Sequence, residues 1–207
     1  MKDPFVEQLR AALAGRSTRN RPGLHFSPEL NYGRQRGPAP HTAKRAAVLA
    51  LLYPDQGRWS IPLTVRPRHM AAHAGQISLP GGLVEPGETT ADAARREFAE
   101  ELGEPPPIAL LGRLSECYVY VSDFRVTPWV GVADSRPAWR PNPAEVDQVL
   151  AVPIDELLRS ASAADRLLIT RDGISFHAPY FGWHDHIIWG TTGAILAELL
   201  ASIASIA

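Results

Sequence analysis

Between Gly82 and Glu104 the chain reads GLVEPGETTADAARREFAEELGE, and this stretch constrains everything folded around it. Thr89 and Thr90 are good N-cap types, and Thr89 with Asp92 makes a capping-box pattern. From Ala91 to Leu102 the residues are mostly strong helix formers. Gly103 then predicts a left-handed C-terminal cap, and Pro105, Pro106 and Pro107 forbid continuation. The helix is therefore delimited at both ends by local chemistry. Ala91, Ala94, Phe98 and Leu102 recur at three- and four-residue spacings and predict its buried stripe. Glu97 and Glu101 fall one turn apart, with Glu100 beside both. Like charges so placed cost roughly 0.2–0.5 kcal/mol per pair on an exposed helix. A hard divalent cation, which prefers oxygen ligands and shares its sphere with phosphates and water, would relieve that repulsion.

The register of Gly82, Glu88, Arg96, Glu97, Glu100, Glu101 and Gly103 resembles the Nudix box, Gly-x5-Glu-x7-Arg-Glu-U-x-Glu-Glu-x-Gly-U, where U is a bulky apolar residue. Phe98 fills the first apolar slot, and Glu104 stands in the last. The resemblance implies an α/β fold: a Nudix-type α/β/α sandwich around a mixed β-sheet, with Mg2+ or Mn2+ as cofactor. It implies metal ligation by Glu97, Glu100, Glu101 and the carbonyl of Gly82. It also makes Arg96 an internal clamp for the motif's own glutamates. Water would attack one phosphorus of a diphosphate, with a carboxylate taking the proton. Two candidates for that base stay open: Glu100 or a neighbour in the box, and Glu145, which follows a Pro-Asn-Pro turn. The catalytic set is then Glu97, Glu100, Glu101, Glu145 and Arg96.

Upstream, LTVRPRHMAAHAGQISLPGG over residues 63–82 resembles the signature of the coenzyme A pyrophosphatase subgroup. Leu63, Thr64, Arg66, Gly75, Pro80, Gly81 and Gly82 match. Pro62, Pro67, Ala71 and Leu79 depart, and Ala71 replaces an arginine that could meet the extra phosphate of coenzyme A. Arg68, on the same loop, is the candidate replacement. Forked guanidinium donors suit phosphate, so Arg66 and Arg68 join His73 and Gly81 as candidates for binding substrate. His69 and His73 are four apart, but no Glu or Cys accompanies them, and pocket lining fits them better than zinc. Pro143-Ala144-Glu145-Val146, Val152-Pro153-Ile154 and Trp189-Gly190-Thr191-Thr192 resemble further stretches of the same subgroup. Tyr120 and Asp123 depart from its pattern. His184-Asp185-His186 reads as a turn, and Trp129, Trp183 and Trp189 as core residues.

The rest of the chain bounds the reading. It has 207 residues, 45% of them hydrophobic, which suffices for one domain with an extension. A formal net charge of −1 without charged blocks argues against nucleic-acid binding through a broad basic surface. Cys117 is the only cysteine, so no internal disulfide forms. The segment MKDPFVEQLRAAL is too charged for a signal peptide, and no apolar run reaches the ~18 residues of a membrane span. A cytoplasmic location is expected.

Residues 1–43 read as an N-terminal extension, a short amphipathic helix over 4–14 plus an irregular arm, and residues 44–207 as the hydrolase domain. The arm is open to two uses, covering the interface of a homodimer or covering the active site. Strands are expected at Ala46–Leu52, Trp59–Val65, Gln76–Leu79, Ile108–Leu114, Cys117–Val121, Val126–Ala133 and Gln148–Val152. A helix is expected from Ile154. Leu167–Thr170 and Ile174–Phe176 flank Asp172-Gly173 as a hairpin, and 191–206 forms a terminal helix.

Three functions follow. The first is hydrolysis of coenzyme A or acyl-CoA to 3′,5′-ADP and phosphopantetheine. The second is hydrolysis of another nucleoside diphosphate derivative, such as ADP-ribose, NADH or a sugar nucleotide. The third is a nucleotide-binding module without turnover, against which the retained, mutually repelling carboxylates argue.

Overall fold

The computed structural model describes residues 3–15, 26, 39–68, 75–119, 122–160, 166–171 and 174–206. Helix α1 (Pro4–Ala14) starts where Asp3 accepts a hydrogen bond from the Phe5 amide and proline occupies the first turn. Strand β1 (Lys44–Asp55) is the longest strand and the spine of the sheet. Its apolar residues alternate between two cores: Ala46, Ala50 and Leu52 face one, and Ala47, Leu49, Leu51 and Tyr53 face the other. Burial on both sides explains why the sequence there is a continuous apolar run.

At its end β1 turns through Gln56 and Gly57, both at positive φ, into β2 (Arg58–Val65). β3 (Ile77–Ser78) pairs with β2, and β4 (Gly81–Leu83) pairs with β1. After α2 (Thr90–Leu102) come β5 (Ile108–Arg113), β6 (Cys117–Val119) and β7 (Phe124–Ala133). β7 lies parallel to β1 in unbroken register from Lys44↔Phe124 to Leu52↔Val132. β8 (Gln148–Pro153) adds to β2, completing a mixed eight-stranded sheet. Then follow α3 (Ile154–Ser160), a separate antiparallel sheet of β9 (Arg166–Arg171), β10 (Ile174–Trp183) and β11 (His186–Trp189), and α4 (Gly190–Ala204).

Helices cover both faces, the α/β/α arrangement that the resemblance implies. α2 packs Ala93, Ala94, Phe98 and Leu102 onto one face. α1, α3 and α4 pack Leu9, Leu13, Ile154, Leu157, Ile195, Leu196 and Leu199 onto the other. Among the described residues no helix is long and apolar enough to cross a membrane.

β1 changes neighbours along its length. Residues 53–55 pair with β2, whereas residues 46–48 pair with β4. Between them the Leu49 amide donates to the Pro80 carbonyl, 2.9 Å. At this seam Gly81 and Gly82 meet the box helix.

Three expectations change. The buried stripe of α2 uses Ala93 in place of Ala91, and it includes Glu101. The helix is rolled so that Glu101 and Glu97, as well as its apolar residues, point at the sheet. Gly103 has positive φ (85°) but an extended ψ (165°), so it is not a left-handed helical cap. The last carbonyls are satisfied from elsewhere: Arg140 N–H donates to Leu102 O and Asn142 N–H to Glu101 O, both 2.8 Å. The turn expected at His184-Asp185-His186 ends one residue early, because His186 enters β11 opposite Trp183. Residues 69–74, Tyr120, Val121 and the Asp172-Gly173 turn lie outside the described residues, and His69, Ala71 and His73 with them.

Candidate active site

The site grows from the start of α2. Thr89 accepts from the Asp92 amide, 3.2 Å, and donates its hydroxyl to the Asp92 carboxylate, 2.6 Å. Trp129 Nε1 donates to Thr90 Oγ1, 3.1 Å, fixing the helix start against β7. From this anchored helix Glu97 and Glu101 project toward β4.

Glu101 is 5% exposed, and its Oε1 accepts from the Gly81 amide, 3.1 Å. Gly81 has φ 155°, and a Cβ there would lie 2.3 Å from the Ala47 carbonyl oxygen, so no other residue fits. Gly82 is closed for a different reason: a Cβ would lie 2.3 Å from Glu97 Oε2. The Glu97 carboxylate therefore rests directly on the Gly82 backbone. Glycine there permits the close approach of a carboxylate to main chain.

Arg96 ties the motif together. Its Nε and Nη2 donate to the two oxygens of Glu88, 2.9 and 3.1 Å. Nη1 donates to Glu97, 2.9 Å, and to Glu100, 3.0 Å. Nη2 also donates to the Leu83 carbonyl, 2.9 Å. One planar guanidinium thus joins the loop before α2, β4 and the helix face, a geometry lysine does not reproduce. The Glu88 pairing is the largest influence raising the Arg96 pKa, and the Arg96 hydrogen bond holds Glu88 below the ordinary carboxylate range.

Burial pushes Glu101 up to about 7, against the opposing hydrogen bond from Gly81, and Glu145 and Glu97 push it further up. Arg66 acts in the opposite direction. Burial also raises Glu97, which Arg96 partly offsets and Glu100 and Glu145 reinforce. Glu145 reaches the cluster from the segment before β8. Its amide donates to Asn142 O, 3.0 Å, and its Oε1 accepts from Asn142 Nδ2, 3.3 Å. Asn142 is in turn bonded to the end of α2.

Arg66 follows the end of β2, where its amide donates to Gln76 O and its carbonyl accepts from Gly75, both 3.0 Å. Its Nε is buried without a hydrogen-bond partner. That donor is available to an anion. Arg68 is exposed, and no hydrogen bond or ion pair among the described residues joins it to the carboxylates. The structure thus brings together Gly81, Gly82, Arg96, Glu97, Glu100, Glu101, Glu145 and Arg66. Arg68 stands apart, and His73 lies outside the described residues.

Sequence reading missed the Leu83 carbonyl and the Asn142 backbone. Main-chain groups carry no residue signal, so nothing in the sequence marked them. Gly81, a candidate for binding substrate, donates its amide to Glu101.

No group of three or more His, Cys, Asp or Glu side chains among the described residues converges as a ready-made cage. Glu97 and Glu100 turn to Arg96, and Glu101 turns to Gly81. The donors are hard oxygens, two of them on carboxylates whose pKa values burial raises and neighbouring glutamates raise further, and this chemistry fits Mg2+ or Mn2+.

The NUDIX domain profile matches residues 43–172. Nudix hydrolase 3 of Caenorhabditis elegans is 33% identical over 170 residues, covering 74% of this chain and 71% of that protein. A Nudix hydrolase of Photorhabdus laumondii, NudL, itself uncharacterised, is 35% identical over 144 residues, covering 68% of this chain and 75% of that protein. The crystal structure of RenU, a Nudix hydrolase from M. smegmatis, superposes with a TM-score of 0.54 at 18% identity. It covers 79% of this chain and 86% of that one, a likeness of fold. With the box assembled on α2 against β4 and with these relatives, the chain belongs to the NUDIX family and is one of its hydrolases.

Proposed function

We propose that this hydrolase cleaves the diphosphate of coenzyme A or acyl-CoA, giving 3′,5′-ADP and (acyl-)phosphopantetheine. The observation that carries the reading is the unpaired, buried Nε of Arg66 beside Glu101. Arg66 belongs to the upstream stretch that resembles the coenzyme A pyrophosphatase signature, and the described residues of that stretch are bonded to one another and to the box. Thr64 bonds Ser78, Arg66 clasps Gln76 and Gly75, and Gly81 and Gly82 receive Glu101 and Glu97.

Glu97, Glu100, Glu101 and the Gly82 carbonyl would hold Mg2+ or Mn2+. Bound there, the cation neutralises phosphate oxygens and lowers the pKa of a water. Arg96 keeps the glutamates in place, and Arg66 binds a phosphate oxygen. Glu145 faces Glu97 and Glu101 from another segment, and it takes the water's proton in this reading, with Glu100 as the competing base.

The test is product analysis. The purified protein is incubated with Mg2+ or Mn2+ and, separately, with coenzyme A, NADH, ADP-ribose and a sugar nucleotide. The expected result is 3′,5′-ADP from coenzyme A at the highest kcat/KM, lost in Glu97→Gln and Glu101→Gln. If coenzyme A is ignored while another diphosphate is cleaved, the hydrolase assignment stands and the coenzyme A reading falls.

A further inference from the structure

The α2 face of the sheet continues past the box. Gly82 pairs with Ala47, and Ala47 pairs with Thr127. Two residues back along β1 comes Arg45, and its partner in the parallel ladder is Arg125. Side chains alternate, so Arg45 shares a face with Ala47, which packs against α2, and Arg125 shares that face with Thr127. Two arginines are thus neighbours in the ladder on one face of the sheet, one row from the glycine that Glu97 covers. The offset is roughly 7 Å along the strand.

Like charges directly opposite one another in a sheet are destabilising. Among the described residues no hydrogen bond or ion pair joins either side chain to an acid: Arg45 is exposed and Arg125 half-buried. Three nearby acids have hydrogen-bond partners other than these arginines. Glu116, beside Thr127, accepts from Thr127 Oγ1, 3.1 Å. Asp123 accepts from Tyr118, 2.8 Å, and Tyr118 is the cross-strand partner of Arg125. Glu88 is held by Arg96.

We infer that Arg45 and Arg125 form a binding site for a second phosphate of the substrate, a phosphomonoester distinct from the diphosphate that is cleaved. The inference rests on the coenzyme A reading, in which a 3′-phosphate sits one ribose away from the 5′-diphosphate. That spacing is of the same order as the offset between the arginine row and the Gly82 row. Two forked cations meeting one dianion supply several charge-assisted hydrogen bonds. They would also serve where Ala71 removes an arginine from the upstream loop.

The experiment has a kinetic and a binding arm. In the first, kcat/KM is measured for coenzyme A and for dephospho-coenzyme A, which lacks only the 3′-phosphate, with wild type and Arg45→Ala/Arg125→Ala. The ratio between the two substrates should fall roughly 10–100-fold in the variant. An unchanged ratio overturns the site. In the second arm, calorimetry compares 3′,5′-ADP with 5′-AMP on the wild-type protein in Mg2+. Tighter binding of 3′,5′-ADP is expected, with the difference lost in the double variant. This arm holds even if wild type cleaves no coenzyme A, an outcome that removes the coenzyme A reading alone. Equal affinity of wild type for the two nucleotides removes the arginine site.

Discussion

At the scale of single residues, Gly82 and Glu101 carry the sharpest expectations. A methyl group at Gly82 would occupy the space of the Glu97 carboxylate, which is the movable end of a side chain. Gly82→Ala should therefore fold with a nearly unchanged melting temperature and lose on the order of 10²-fold in kcat/KM, because Glu97 is displaced. A variant with wild-type kinetics would detach that contact from function. Glu101 makes a pH prediction. Its folded pKa of about 7 lies above the ordinary 4.5, so between these values the folded chain keeps a proton that the unfolded chain has released. Stability then falls as pH rises through this window, by up to on the order of 3 kcal/mol. Melts of metal-free protein at pH 5 and pH 8 should show the drop, and Glu101→Gln should flatten it. Mn2+ should restore stability at the higher pH. Most of what can be tested here was legible as a motif, because titratable residues at fixed helical spacing leave a mark in sequence. The Leu83 carbonyl and the Asn142 backbone left none.

At the scale of elements, α2 shows how local signals and tertiary packing divide the work. Thr89 and Asp92 set the start of the helix as read from the sequence. The roll of the helix was not legible, because spacing alone allowed Ala91 where packing chose Ala93. Its end was set from outside, by Arg140 and Asn142, and no local rule could supply that. β11 escaped for a similar reason: four residues opening on a histidine carry little strand signal, and only pairing with β10 defines them. Phe98 is fully buried and lies against Trp139, with ring centroids 6.3 Å apart. Phe98→Ala should cost about 3–5 kcal/mol by denaturant unfolding. A loss below about 1 kcal/mol would mean that α2 is not seated on the sheet as described.

At the scale of the whole molecule, the N-terminal helix belongs to the same packing unit as the catalytic sheet. Leu9 is fully buried, and Leu13 lies against Gly112, where a Cβ would come within 3.1 Å of it. Removing residues 1–15 would uncover Leu111 and its neighbours in the main core. The truncated chain should melt several degrees lower, consistent with a loss of about 2–5 kcal/mol for each large apolar contact removed. An unchanged melting temperature would separate the helix from the domain energetically. The mixed sheet was foreseeable from the alternation of strands and helices. The split into an eight-stranded and a three-stranded sheet was not, since pairing partners far apart in sequence leave no local pattern.

The central place of β1 has one more consequence. Its middle, AAVLALLY, is apolar, uncharged and free of proline and glycine, features of a segment prone to fibrillar self-association. In the folded chain it is paired with β7 along one edge and with β4 and β2 at the two ends of the other, and short strands such as β3 and β6 lie outside it. Lys44 and Arg45 at one end and Pro54 and Asp55 at the other flank it as gatekeepers. The arginine assigned above to a phosphate thus stands at the boundary of the segment most hazardous to solubility, and exchanging it for an apolar residue would extend that segment by one position.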